Sequence, residues 1–197
     1  MCGRFYIDDH TIREIADVAP ETNDAFWKGK CGDIYPSQSA LVLTGRTAHL
    51  SAEEMKWGFP QYQKKGLVIN ARAETVLERN MFRESVRRRR CIIPAGQYYE
   101  WDAQKNKVTF SGQDQPVLYM AGFFDRFQDG DHFVILTTAA NASVSPVHDR
   151  MPLILGKEEV EAGSMTMHSW NLHCAKFRRS FRKARNMSSR HCFRLAL

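Results

Sequence analysis

Val117-Leu118-Tyr119-Met120-Ala121-Gly122-Phe123-Phe124 and Phe133-Val134-Ile135-Leu136-Thr137-Thr138 are two apolar runs separated by the turn pair Asp129-Gly130. Both are strand-sized, rich in aromatic and β-branched residues, and too short for a membrane span. Working outward, shorter runs of the same kind fall at Ala40–Thr44, Leu67–Asn70, Cys91–Pro94, Tyr98–Trp101, Val108–Ser111 and Leu153–Leu155. Lys105-Asn106 and Gly112 to Asp114 supply further breaks. Helical periodicity occurs in two places. Thr11 to Ala19 carries apolar residues on one face, with Asp8-Asp9 as N-cap candidates and Pro20 closing it. A second stretch runs from about Glu74 to Arg89. Its four arginines, Arg87 to Arg90, sit where positive charge complements the helix dipole. Many strands, few helices and no βαβ rhythm predict an α+β fold: a β-rich, compact single domain of mostly antiparallel strands with a few peripheral helices.

The chain has 197 residues, enough to bury a substantial core. Its formal charge of +6 is unevenly spread. Residues 164–197 hold eight Lys and Arg and no acid, so the rest has 20 basic against 22 acidic residues. Residues 1–163 therefore read as the folded domain, and 164–197 as a basic, atypical tail without clear strand alternation. Nucleic-acid affinity in the domain has to come from local clusters, not from overall charge. Five cysteines, at 2, 31, 91, 174 and 192, form no CxxC pair and read as free thiols in a reducing compartment. The first residues lack the layout of a signal peptide, and the expected location is cytoplasmic. His168, His173, Cys174, His191 and Cys192 fit no standard zinc spacing, so no metal and no cofactor is expected.

Cys2 is the first candidate for chemistry. Removal of Met1 would leave an amine and a thiol on adjacent carbons. The amine can attack an aldehyde to give an imine, and the thiol can then close a five-membered thiazolidine. Four polar clusters accompany it. Asn70-Ala-Arg-Ala-Glu-Thr75 lies where a strand gives way to a helix, with helix capping as the plain alternative. Tyr98-Tyr99-Glu100-Trp101 puts one carboxylate in an aromatic strand, on the face of Tyr98 and opposite Trp101. Glu100 is there a candidate for acid–base work, or an edge-strand residue facing water. Thr137-Thr138 ends an apolar strand, and His148-Asp-Arg-Met-Pro152 occupies the loop before the next.

These pieces resemble the SRAP family, the SOS-response-associated peptidases or abasic-site processing proteins. The resemblance rests on Met-Cys-Gly-Arg-Phe at 1–5, Trp57-Gly58-Phe59, Asn70 to Thr75, Met81-Phe82, Arg90-Cys-Ile-Ile-Pro94, Gly96 through Trp101, and His148 to Pro152, in the family's order. It implies a DNA-damage protein, acting as a monomer with no membrane, that captures abasic sites in single-stranded DNA. Cys2 would form the thiazolidine with the opened sugar, and Asn70 would hold the N-terminus or the sugar. Glu100 and His148 would move protons. Arg72 and Arg150 would hold flanking phosphates, Trp101 would stack on a base, and Arg4 and Thr138 would line the site. It also implies self-removal of Met1, the source of the peptidase label, and Schiff-base, lyase-like chemistry. The family's closing strand is not recognisable in 164–197, which reads as an altered terminus. Two other readings stand: an N-terminal-nucleophile amidohydrolase using Cys2, whose downstream His-Arg-Gly and Asn-Gly-Glu motifs are absent, and a non-catalytic single-strand-binding module.

Overall fold

The computed structural model describes residues 2–20, 29–45, 50–62, 65–113, 115–161 and 181–185, the last five and residue 161 in backbone only. The chain opens with β1 (Phe5–Ile7) and α1 (Asp9–Val18). Asp8 caps α1, its Oδ1 accepting from the Thr11 N–H and the Thr11 hydroxyl, each at 2.7 Å. There follow β2 (Gly32–Ile34), β3 (Ser39–Thr44), β4 (Ser51–Trp57), β5 (Phe59–Pro60), β6 (Leu67–Val68) and β7 (Asn70–Arg72). The expected helix from Glu74 to Arg89 is instead a 3-10 turn, Val76–Glu78, followed by α2 (Asn80–Arg88). Arg79 has extended backbone, φ −86° and ψ 117°, and breaks the helical run between them.

The remaining elements are β8 (Arg90–Ala95), β9 (Gln97–Trp101), β10 (Lys107–Gly112), β11 (Leu118–Phe127), β12 (Gly130–Ala139), β13 (Arg150–Pro152), β14 (Ile154–Leu155), α3 (Lys157–Glu161) and β15 (Phe181–Arg185). Strands β3, β4, β12, β11 and β8 pair in a closed circuit, a small barrel in which the β12–β4 pairing is parallel. Closure satisfies both edges of each member. A second, antiparallel sheet runs β15–β10–β9–β1–β2. The tail thus contributes a strand that its sequence pattern did not reveal, with Phe110 opposite Lys183.

Strands β11 and β12 read as unbroken apolar runs because both of their faces are buried. Met120, Phe124, Phe133 and Ile135 join one core with Cys2, Phe5, Trp57 and Tyr98, linking barrel and second sheet. Their neighbours Tyr119, Phe123, Val134 and Leu136 join the other core with Ile15 of α1 and Phe82 and Val86 of α2. Trp57 is fully buried. Its indole N–H donates to the Ile69 carbonyl at 3.0 Å and its ring stacks on Phe133.

The arginine run at the end of α2 is absorbed by the fold. Arg90 donates to the carbonyls of Val86 and Arg87, closing the helix. Arg89 pairs with Asp125 of β11, and Arg88 with Glu84 one turn earlier. No helix among the described residues is long and apolar enough to cross a membrane.

Gly122 sits opposite Cys91 on β8 and Ile135 on β12, where barrel strands come close. A Cβ there would meet the Ile93 side chain and lie 2.8 Å from the Val134 carbonyl oxygen. Gly122→Ala is expected to lower unfolding free energy by about 1–3 kcal/mol, the usual cost of overpacking. The urea midpoint against wild type measures this, and an unchanged midpoint would show that the barrel has slack there.

Candidate active site at the end of strand β12

The C-terminal half of β12 gathers the site. Strand β7 pairs with it in parallel, Asn70 opposite Ile135 and Arg72 opposite Thr137. Strand β13 pairs antiparallel, with Thr138 opposite Met151 and Ala139 opposite Arg150. Three of the four polar clusters in the sequence therefore meet at one strand end. Arg150 ties them together through a bidentate pair to Glu74, at 2.9 and 2.8 Å, and a 2.6 Å bond to the Thr137 carbonyl. Burial works against the Glu74 carboxylate, yet the Arg150 guanidinium holds it below its ordinary range.

Cys2 lies against this junction, fully buried. The Asn70 amide donates to the Cys2 carbonyl at 2.8 Å, so Asn70 anchors the chain's beginning and caps no helix. The side-chain oxygen of Asn70, Oδ1, is buried and has no hydrogen-bond partner among the described residues. The Cys2 thiol approaches the Arg4 carbonyl at 3.6 Å. Burial, followed by the charge of Glu100, pushes this thiol up to about 12.

Glu100 enters from the second sheet. Strand β9 is an interior strand between β10 and β1, so Glu100 does not face water; it is 2 % exposed, while the next residue, Trp101, is 41 % exposed. Burial raises the Glu100 carboxyl above its ordinary value, and the amino terminus and His148 pull it partly back. Tyr98 shares the face and is raised well above the usual phenol range by burial, then by Cys2 and Glu100. These influences place Cys2, Tyr98, Glu100 and His148 in one electrostatic neighbourhood.

His148 is held through Nδ1, which accepts the Arg150 backbone N–H at 2.9 Å, and which lies 2.8 Å from Asp149 Oδ1. Nδ1 thus faces both a backbone donor and the Asp149 carboxylate, which together fix the orientation of the ring.

The named cations differ in their freedom. Arg72 is exposed and its side chain has no partner among the described residues. Arg4 is ion-paired with Asp33 and sandwiched between the rings of Tyr35 and Tyr99, at 4.9 and 4.8 Å. Asp33 and Tyr35 were not foreseen, since nothing in their own pattern marks them, and Tyr99, within the cluster around Glu100, was given no role of its own. Thr138 is buried at the strand's end. The described residues contain no group of three or more His, Cys, Asp or Glu able to hold a metal, and the His and Cys residues of the tail lie outside them.

A β barrel flanked by a second sheet, with a buried residue-2 cysteine beside Asn, Glu and His, defines a class. The profile of the SOS response associated peptidase (SRAP) family matches residues 1–190, and the chain belongs to that family. Among its relatives, the abasic site processing protein YoqW of Bacillus subtilis is 32 % identical over 177 residues, covering 80 % of this chain and 77 % of that one. The abasic site processing protein YedK of Escherichia coli is 31 % identical over 171 residues, with 80 % and 77 % covered. A solved protein of Bordetella bronchiseptica shares the fold with a TM-score of 0.77 at 20 % identity, over 95 % of this chain and all of the other.

Since the thiolate is the reactive form, burial should protect Cys2 from alkylation. Iodoacetamide at about pH 8 is expected to modify the half-buried Cys31 well before buried Cys2 and Cys91 in the folded protein, and all three alike in denaturant. Peptide mass mapping over time measures this. Cys2 labelling as fast as Cys31 would contradict its burial.

Proposed function

We propose that this protein processes abasic sites in DNA, capturing them in single strands as a thiazolidine on Cys2. The observation that carries the reading is the convergence on Cys2 of Asn70, which holds its carbonyl at 2.8 Å, and of buried Glu100. The relatives' names point to the same lesion. Met1 leaves first, by self-processing at this site, which frees the Cys2 amine. The buried, partnerless oxygen of Asn70 then supplies an acceptor for that amine.

The amine attacks the aldehyde of the ring-opened sugar. Its nitrogen forms the new bond to carbon; the aldehyde oxygen takes up one amine proton and one from Glu100 and departs as water, and the iminium nitrogen then returns a proton to Glu100. The thiol adds to the imine carbon, its proton passing to the imine nitrogen. His148 assists opening of the sugar. A thiol held up at about 12 is almost wholly protonated at neutral pH, so the amine acts first and sulfur second.

Arg72 provides the free guanidinium for a phosphate. Arg4 and Arg150, neutralised by Asp33 and Glu74, act first as positioning groups. Trp101, at the exposed end of β9, stacks on a base, and Thr138 lines the site from β12.

Cys2→Ser is expected to abolish the denaturation-resistant adduct, because serine keeps the amine but closes a far less stable ring. Intact mass after incubation with abasic single-stranded DNA reads this directly. An adduct of undiminished yield would assign the chemistry to another nucleophile.

Glu100→Ala and His148→Ala, with removal of Met1 confirmed by mass, should each slow crosslinking about 10²-fold at saturating DNA. The sign for Glu100 follows from its raised pKa. The folded protein keeps that proton to higher pH, so its general-acid contribution is full at low pH and fades as pH rises through the raised value. Single-turnover rates between about pH 5 and about pH 9 should show that limb in wild type and lose it in Glu100→Ala. Wild-type rates in both variants across the range would make the two residues structural.

A further inference from the structure

Of the groups gathered around Cys2, Tyr98 has no part in the capture chemistry. It is fully buried on β9, two residues before Glu100 and on the same face of the strand. Two residues along a strand separate backbone positions by about 7 Å, within the reach of these side chains. The sulfur of Cys2 is tied to the same strand. The Arg4 carbonyl accepts the Tyr99 N–H at 3.0 Å and lies 3.6 Å from Cys2 Sγ. That N–H belongs to the peptide joining Tyr98 to Tyr99, so the thiol and the β9 backbone meet at one oxygen. Phe5 pairs opposite Tyr98, and the ring of Phe110 stacks on it at 5.2 Å and 19°. All three aromatic rings belong to the core that contains Cys2.

A phenylalanine would satisfy that stacking equally well. The hydroxyl instead places a polar atom in the core, its oxygen buried, which packing alone disfavours. After burial itself, the charges that raise the phenol are those of Cys2 and then of Glu100. The phenol therefore stays protonated through neutral pH, and a neutral phenol is donor and acceptor at once.

Ring closure has a use for such a group. As sulfur adds to the imine carbon, the proton it loses has to reach the nitrogen bonded to that same carbon. Direct passage would run through a strained four-membered array of sulfur, carbon, nitrogen and hydrogen. A hydroxyl that accepts from one atom and donates to the other widens the path.

We propose that Tyr98 is the proton relay for closure of the thiazolidine, its oxygen taking the proton of Cys2 Sγ as its own hydroxyl proton passes to the imine nitrogen. The carbon–sulfur bond forms, the sulfur–hydrogen bond breaks, and the second carbon–nitrogen bond gives way to a nitrogen–hydrogen bond. The phenol ends neutral, as it began, and no further reactant is consumed. The proposal rests on the reading of Cys2 as the capturing residue and divides the work at that site. Glu100 serves the departure of water, and Tyr98 serves the arrival of sulfur.

The test compares wild type with Tyr98→Phe, which removes one oxygen and keeps the stack on Phe110. With removal of Met1 confirmed by mass, each is mixed in excess with single-stranded DNA carrying one abasic site, and samples are denatured over time with and without sodium borohydride. Adduct that survives without reductant is thiazolidine. Adduct that survives only after reduction is imine, heavier by the hydrogens added. Tyr98→Phe is expected to form imine at the wild-type rate, to accumulate it, and to close the ring about 10²-fold more slowly, the lower end for a lost proton-transfer group. The deficit should be constant between about pH 5 and about pH 9, because the phenol does not titrate there, while the Glu100 limb persists.

Closure at the wild-type rate in Tyr98→Phe overturns the relay and leaves the proposed function standing. Equal slowing of both steps overturns it as well, since that is the mark of disturbed packing. A deficit that grows with pH along the Glu100 limb would assign the proton to Glu100 instead. If wild type forms neither imine nor thiazolidine, relay and proposed function fall together.

Discussion

Strand β12 cannot be moved without moving everything else. It is buried on both faces from His132 to Thr138, and it pairs with β11 along its first half. It also pairs with β4, β7 and β13. A strand so constrained has its register set by two cores at once, since a slip of one residue would exchange Phe133 and Ile135 with Val134 and Leu136. Because β7 and β13 both dock at its far end, the same register that builds the barrel also brings Asn70, Arg72 and Arg150 together. Site geometry here is a consequence of core packing.

This division explains what could be read from the sequence. Runs such as Val117–Phe124 and Phe133–Thr138 declare themselves, because two buried faces demand apolar residues at successive positions. Strand β4 was not foreseen, although Ala52, Met55 and Trp57 are buried. Its adjacent Glu53 and Glu54 break the alternation, and the fold accommodates them outside the core, Glu53 accepting from the Thr44 hydroxyl and Glu54 pairing with Lys30. The three-residue strands β1, β2 and β13 are defined by their partners more than by their own propensity. Strand β15 shows the same in the tail, where pairing with β10 decides and pattern does not.

For the site, residue types were legible and bonds were not. Cys2 stood out through its position, Asn70 at the end of an apolar strand, Glu100 within an aromatic one, and His148 beside Asp and Arg in a loop. What they touch depends on contacts across 68 residues, for Asn70 to Cys2, and 76 residues, for Arg150 to Glu74. No local pattern encodes such distances. Hence two arginines read as equivalent phosphate clamps differ in kind: Arg72 is exposed with no side-chain partner among the described residues, while Arg150 is spent on Glu74 and the Thr137 carbonyl. Arg4 is likewise occupied; its partners Asp33 and Tyr35 come from chain segments with no mark of their own, and Tyr99 from the aromatic cluster around Glu100.

The buried thiol of Cys2 would be a poor choice for a nucleophile that acts first, because desolvation suppresses the thiolate. On the proposed chemistry it is a suitable choice for one that acts second. Once the amine has formed an imine, the sulfur is a few bonds from an electrophilic carbon, and closure is intramolecular. The thiol proton moves to the imine nitrogen as the carbon–sulfur bond forms, so no free thiolate has to exist. Glu100 contributes at both stages. Its burial favours the protonated carboxyl that water needs as it leaves, and its charge, when present, further raises the thiol. Low thiolate content also slows oxidation to the sulfenic acid, which would remove the sulfur from use. On the proposed chemistry, burial of Cys2 delays the sulfur without disabling it, and preserves it for the aldehyde.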